Sequence, residues 1–449
     1  MRVSVSLGGP GEAGAVLRNV KKKQGSRFSC LWGRSKRSLE PMRVTTFFRK
    51  ILGVAQLVVV SAAVEAGNVA LKVRPCWRRA RCSECGKVAP GYDRLPERRW
   101  RHLAFGRFPV WLRYARRRVK CPHCGVVVEK VPWADADSGF TYDFEEMAAY
   151  LAQITDKTKV TEMLGISWRT VGRIVERVVS RRLDASRLGD LHMIGVDEFG
   201  YRKRHRYITI VVDHERERVV WAKEGRDSEV LKGFFEELGP EGRERIETVT
   251  MDTAKGYIKA VRDTPPQARI VLDRFHVQQL ASEAVDEVRR GIVRELRGCE
   301  NEEEAKAVKG TRFVLLKRPR NLDRAEKEKL SEVQRTNRRL YRAYLLKETL
   351  TEALEYQQAA RAEEALRNWL GWAARSRLEP FVRTARTIRE HFEGVLAYVK
   401  TRMTNALAEG INNKLRMVAR RAYGFHGAQA LISMLFLTCG GVALNPPLP

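Results

Sequence analysis

Three acidic residues stand where carboxylates that hold a metal would be useful: Asp197 in HMIGVDEFG, Asp252 in VTMDTAKGY and Glu409 in TNALAEGINNKLR. The first two close apolar, β-branched runs that read as strands, and the third lies far along the chain in a helical stretch. Brought together, such carboxylates can hold two divalent cations. These activate a water or hydroxyl and stabilise the leaving oxygen of an in-line attack on phosphate. Asp197 alone would be an ordinary solvated strand end; its pairing with Asp252 gives it meaning. Asp273, in DRFH, also ends a strand and competes with Asp252. It reads as a supporting residue, with His276 orienting a water or DNA, and a helix N-cap is its alternative role. On a helix, Glu409 shares a face with Asn405, Asn412, Asn413 and Arg416. A stripe of amides around one carboxylate is poor core material, so Asn405 and Asn413 are candidate supports, and Arg416, Arg420 and Arg421 are candidate contacts to DNA phosphates.

Two further patterns carry chemistry. Cys82-Ser-Glu-Cys85 and Cys121-Pro-His-Cys124 are knuckles, each followed by a glycine, and four thiolates close a tetrahedral structural zinc site. Free or redox thiols are the alternative; Cys76 and His123 are not needed as ligands. Lys159 to Val175 reads as a helix, a turn at Gly165, an N-cap at Ser167 and a second helix, the grammar of a helix-turn-helix. Val160, Leu164, Ile166, Val171 and Ile174 would form its core, leaving Trp168, Arg169, Thr170 and Arg173 at the start of a recognition helix. A plain helical hairpin would share this pattern. Between the knuckles, Arg98 to His102 and Arg113 to Arg118 interleave basic and aromatic residues, as DNA-contacting strands do.

These residues need a scaffold of several domains. The chain has 449 residues, 84 Lys plus Arg against 54 Asp plus Glu, and a net charge of +30. Such a charge seeks a polyanion, with nucleic acid the default. Eight cysteines, four of them in knuckles, favour a reducing cytoplasm over a disulfide scaffold. The apolar stretches Ile51 to Ala63 and Ala430 to Leu437 are too short to span a bilayer. The first reads as a strand paired with Val69 to Val73, the second as a core helix. Strand-like runs follow at Met193 to Phe199, Tyr207 to Asp213, Val219 to Ala222, Ile246 to Met251 and Arg269 to Leu272, and Val277 to Lys400 is charged and helical. Residues 1–41 carry no sustained apolar period and read as a disordered tail, with Met42 as the native start.

In order and spacing, the FFRKILG opening, the knuckles, the helix-turn-helix, VDEFG, MDTAKGY, DRFHV and NALAEGINNKLR with ARRAYGF resemble the ISL3 family of bacterial insertion-sequence transposases. The resemblance implies an α+β multidomain chain: a zinc-ribbon-like module (42–135), a helix-turn-helix (140–186), a ribonuclease-H-like mixed-sheet core (190–276 and 401–440) and a helical insertion (277–400). It also implies an acid triad of Asp197, Asp252 and Glu409, Mg²⁺ (two ions, or Mn²⁺) and structural Zn²⁺. The expected partners are the element's terminal inverted repeats and target DNA, met as a homo-oligomer in the bacterial cytoplasm, at the nucleoid, with no membrane. A catalytically inactive DNA-binding regulator and a nuclease that only hydrolyses are the rival readings.

Overall fold

The computed structural model describes residues 43–202, 206–252, 254–422, 425 and 427–447; the expected tail, the start at Met42 and part of ARRAYGF lie outside them. The chain divides into two units, Met1–Gly53 and Val54–Pro449. In the first, helix α1 (Val44–Leu52) stops on Gly53, whose φ of 63° is the left-handed geometry that glycine adopts without penalty. Ile51 and Leu52 therefore finish a helix. This corrects the expected strand, which begins only at Leu57.

The second unit opens with β1 (Leu57–Glu65) and β2 (Asn68–Pro75), then the long hairpin β3 (Gly91–Phe105) and β4 (Phe108–Cys121), closed by β5 (Gly125–Val128). β2 runs parallel to β4, and the other pairings are antiparallel. Leu71, Trp100, Leu112 and Trp133 fill its core. Three helices follow, each started by a side-chain cap on a backbone N–H: α2 (Tyr142–Ile154) by Thr141, α3 (Lys157–Leu164) by Asp156 and α4 (Trp168–Arg182) by Ser167.

The central sheet comprises β6 (Met193–Arg202), β7 (Arg206–Asp213), β8 (Arg218–Glu224), β9 (Thr248–Met251) and β10 (Arg269–Leu272), in the order β10-β9-β6-β7-β8. The three strands β6 to β8 are antiparallel neighbours, whereas β9 and β10 join parallel to β6 after α5 (Ser228–Arg245) and α6 (Lys255–Asp263). This is the ribonuclease-H-like mixed sheet. Val, Ile and Met dominate the central strands because helices cover both faces.

The helical insertion leaves from β10 as α7 (Arg274–Gly298), followed by α8 (Glu302–Lys309), α9 (Arg312–Leu316), α10 (Arg324–Thr336), α11 (Arg338–Ala353), α12 (Ala359–Ala374) and α13 (Glu379–Glu390). α14 (Phe392–Thr401) already returns to the sheet, with Gly394 held close to Leu272 and to the Ile270 carbonyl of β10. α15 (Ala406–Arg421) carries Glu409, and α16 (Ala428–Cys439) is the expected buried apolar helix. Val171, Ile174 and Val178 of α4, Ile208 and Val212 of β7, and Leu431 and Leu435 of α16 belong to one hydrophobic cluster. The helix-turn-helix is thus built onto the central sheet. Among the described residues no helix is long and apolar enough to cross a membrane.

Candidate active site

β6 and β9 run parallel with Gly195 opposite Thr250, and β9 and β10 with Met251 opposite Leu272. Continued past the strand ends, the same register sets Asp197, Asp252 and Asp273 side by side in one row. Strands that are parallel and adjacent bring residues in register side by side, which no spacing along the chain reveals.

α15 crosses this row and is pinned to it by asparagines. Asn405, fully buried, donates its backbone N–H to Asp273 Oδ2 (2.7 Å) and its Nδ2 to the Val196 carbonyl (3.2 Å), and its Oδ1 accepts from Thr250 Oγ1 (3.1 Å). Thr250 in turn lies 2.7 Å from His214 Nε2. One helical turn further on, Glu409 N–H donates to the Asn405 carbonyl. Asn412 Nδ2 donates to Asp197 Oδ2 (2.8 Å) and to the Glu198 carbonyl (3.3 Å). Asn405 is therefore the residue that starts the helix, and Asn412, not Asn413, meets the carboxylates. Asn413 is exposed and accepts from Arg416. Gly195 makes this approach possible, since a Cβ there would lie 2.9 Å from both Asn405 Oδ1 and His214 Nε2. A glycine inside a β-branched run was the available signal for a close approach.

The three aspartates differ in how they are used. Asp197 Oδ1 accepts from Glu198 N–H, leaving its carboxylate oriented from both sides. Burial raises its pKa to about 6, and the charges of Asp252 and Glu409 push the same way, against the Glu198 N–H and His276. Glu198 is also raised, by burial and Asp252, with Arg226 4.0 Å away partly offsetting them. Asp252 accepts from Ala254 N–H (2.9 Å) and makes no second hydrogen bond among the described residues. Asp273 is buried, and both its oxygens are taken: Oδ1 caps α7 through Phe275 N–H (2.6 Å), and Oδ2 holds the start of α15. It is the helix cap anticipated as its alternative role, and it ties α7 to α15. Even so, Asp273, His276 and Glu409 each bring one ligand atom within 4.8 Å of the others.

A cation fits this end of the sheet. The charges of Asp252 and Glu409 both reach Asp197, and Asp273 and Glu409 bring ligand atoms within 4.8 Å of each other. Asn412 Oδ1 and His276 Nδ1 are buried there without a hydrogen-bond partner. Hard oxygen donors of this kind suit Mg²⁺ or Mn²⁺.

The zinc knuckles close as expected. Cys82, Cys85, Cys121 and Cys124 bring their sulfurs within 4.8 Å of one another. Backbone N–H groups of His123 and Cys124 help draw the Cys121 thiol down to about 6, toward the thiolate that binds metal. The arginines between the knuckles, by contrast, are largely spent inside the module. Arg117 pairs with buried Glu129 (2.7 Å), Arg113 with Glu65 (2.6 Å) and Arg118 with Asp93, while Arg98 donates to three carbonyls at 136–138. Much of the arginine side-chain capacity of the expected DNA-contacting strand face is thus engaged by partners within the module.

In the helix-turn-helix, Val160, Val171 and Ile174 are buried, with Leu164 and Ile166 packed beside them. Arg169 and Arg173 are exposed, Trp168 and Thr170 half-buried. Thr170 N–H is held by the Ser167 cap (3.2 Å), and Lys157 lies over the Trp168 ring (5.8 Å). The far end of α4 is anchored by Arg177 and Arg181 on buried Glu145, and by Arg182 on Glu146. Arg416 and Arg420 are exposed on α15, whereas Arg421 donates to the carbonyls of Ile154 and Gln153 and so fastens α15 to α2.

Fold and site together define an acid-residue enzyme core of ribonuclease-H type joined to DNA-reading modules. Comparison with known proteins agrees: a transposase profile of the ISL3 type matches residues 194–435, the helix-turn-helix domain of transposase family ISL3 matches 129–179, and the zinc-finger of transposases IS204/IS1001/IS1096/IS1165 matches 78–124. The chain is 37% identical over 441 residues to the transposase for insertion sequence element IS1557 of Mycobacterium tuberculosis, covering 91% of this chain and 98% of that protein. It is 29% identical over 360 residues to the transposase for insertion sequence element IS1001 of Bordetella parapertussis, covering 80% and 88%. The chain belongs to the ISL3 family of insertion-sequence transposases.

Proposed function

We propose that this protein binds the ends of its insertion sequence through the helix-turn-helix and cuts and rejoins DNA at the carboxylate row. Asp197 and Asp252 would hold divalent metal, and Glu409 would complete the site. Metal bound there supplies positive charge for the attacking and leaving oxygens of the phosphodiester. The chain's own residues set the geometry: Asn412 and the Glu198 N–H fix the Asp197 carboxylate, and Asp273 and Asn405 fix the helix that presents Glu409. Hydrolysis at the element end, then attack of the freed 3′-hydroxyl on target DNA, places the same kind of phosphate in the same row twice, so one site serves both steps. Recognition falls to Arg169 and Arg173, with Arg416 and Arg420 near the site for phosphates.

The observation that carries this reading is the row of aspartates in register across β6 and the ends of β9 and β10, with the helix of Glu409 pinned across it. Asp197→Asn, Asp252→Asn and Glu409→Gln should each abolish Mg²⁺-dependent cleavage and strand transfer of labelled element ends while end binding persists. Cleavage surviving in the Asp252→Asn protein would remove Asp252 from the site. Cleavage without joining in the wild type would make the protein a nuclease.

A further inference from the structure

Away from the carboxylate row, α7 carries Arg290, Arg294 and Arg297 along one face. The segment from the end of α8 into α9 brings Lys309, Arg312 and Phe313 against them, around a groove of about 690 Å³. All six are exposed, and Phe313, at 70%, is the most exposed aromatic residue among those described. The nearby acids are already engaged. Asp286 is shared by Arg289, Arg290 and Arg312, Glu287 pairs with Arg383 (2.7 Å), and Glu302 pairs with Arg297 (3.4 Å). Arg294 and Lys309 have no acidic partner among the described residues.

Spacing and chemistry suggest the occupant. Arg290, Arg294 and Arg297 span about 10 Å at 1.5 Å per residue, and with Lys309 and Arg312 opposite they offer enough cationic groups to follow a short run of phosphates along one strand. The phenyl ring beside them carries the Arg312 guanidinium 5.7 Å from its centroid and is otherwise largely open to solvent, so that the face of a nucleobase could cover it. Basic groove and open aromatic together are the means by which proteins hold single strands. In an intact duplex the base faces are already stacked, so a base lying on Phe313 must be unpaired.

We infer that this groove of the helical insertion is a second DNA contact: it grips a short run of phosphates of one strand and stacks an unpaired base of that strand on Phe313. The contact is independent of which acids hold metal, because binding is read without divalent cations and without catalysis.

The test uses the full-length protein, a fluorescein-labelled single strand of about 15 nucleotides and its matching duplex, titrated at about 50 to 200 mM salt. One variant combines Arg290→Ala, Arg294→Ala and Lys309→Ala. Its control removes the same charge from α10 with Arg324→Ala, Lys327→Ala and Lys329→Ala. The groove variant should lower the slope of log K against log salt on single strand by about two, at roughly 0.7 per phosphate, and the control should not. Phe313→Ala should weaken single-strand binding roughly fivefold or more, leaving the slope unchanged, and Phe313→Trp should restore it. Equal behaviour of groove and control variants would overturn the inference. So would a Phe313→Ala loss as large on duplex as on single strand.

Discussion

Gly195→Ala tests how the site is assembled without touching any acid. The new methyl would lie 2.8 Å from Val212 Cγ2 and 2.9 Å from both Asn405 Oδ1 and His214 Nε2. None of these neighbours can yield cheaply. Val212 is buried in the adjoining strand, Asn405 is held by three hydrogen bonds, and His214 is tied through Thr250. Relief to an ordinary contact requires a shift of roughly half an ångström or more at the start of α15, and overpacking of this kind costs about 1–3 kcal/mol. Because Glu409 sits one turn beyond Asn405, the shift passes to the carboxylate, and a misplacement of about 1 Å can lower catalysis by about 100-fold. Gly410→Ala is the matched comparison: it adjoins Glu409, is exposed on the helix, and has nothing within 4 Å of its new methyl. It should raise stability by about 0.4–1 kcal/mol and leave cleavage intact. The assays are Mg²⁺-dependent cleavage of a labelled element end, end binding by anisotropy and thermal unfolding. Wild-type cleavage by the Gly195→Ala protein, or equal loss from both substitutions, would refute the steric argument.

Asp273 and Asp252 should separate by stability: Asp273→Ala strands the buried Asn405 N–H, at about 1–3 kcal/mol, and removes the α7 cap at Phe275 N–H, while Asp252→Ala, with one local bond, should unfold near the wild-type temperature; the reverse order would exchange their roles. The metal-free protein should grow less stable between about pH 4 and pH 7 in part through Asp197. Its native pKa is raised above the unfolded value, so the stabilising effect of its proton is present at low pH and is lost as pH climbs through about 6. Asp197→Asn should flatten that portion of the unfolding profile, and an unchanged profile would contradict the assignment. Atomic analysis of protein purified under reducing conditions should find one zinc per chain, and Cys121→Ser should release it; protein free of zinc yet fully folded would contradict the knuckle reading. Replacing Arg169 and Arg173 together should weaken binding to element ends more than to random DNA, because side chains at a recognition helix reach base edges whereas phosphate contacts carry no sequence.

Local pattern determined much of this protein. Near-continuous apolar, β-branched runs marked the five central strands to within a few residues, because a strand buried on both faces is apolar along its length. Ser167 and Gly165 marked the helix-turn-helix because a cap and a left-handed turn are properties of single residues. The knuckles announced their metal because four thiolates at that spacing have few other uses. Tertiary structure decided the rest. Only the parallel pairing of β6, β9 and β10 puts Asp197, Asp252 and Asp273 in one row, and only the crossing of α15 shows that Asn412 holds Asp197 while Asn413 faces solvent. The same arginine-rich sequence that reads as a DNA-contacting face forms ion pairs with acids of its own module, Glu65, Asp93 and Glu129, and Arg421 becomes a clamp on α2. A charge in a sequence states what a side chain can bind; its fold neighbours decide whether that capacity is left for a ligand.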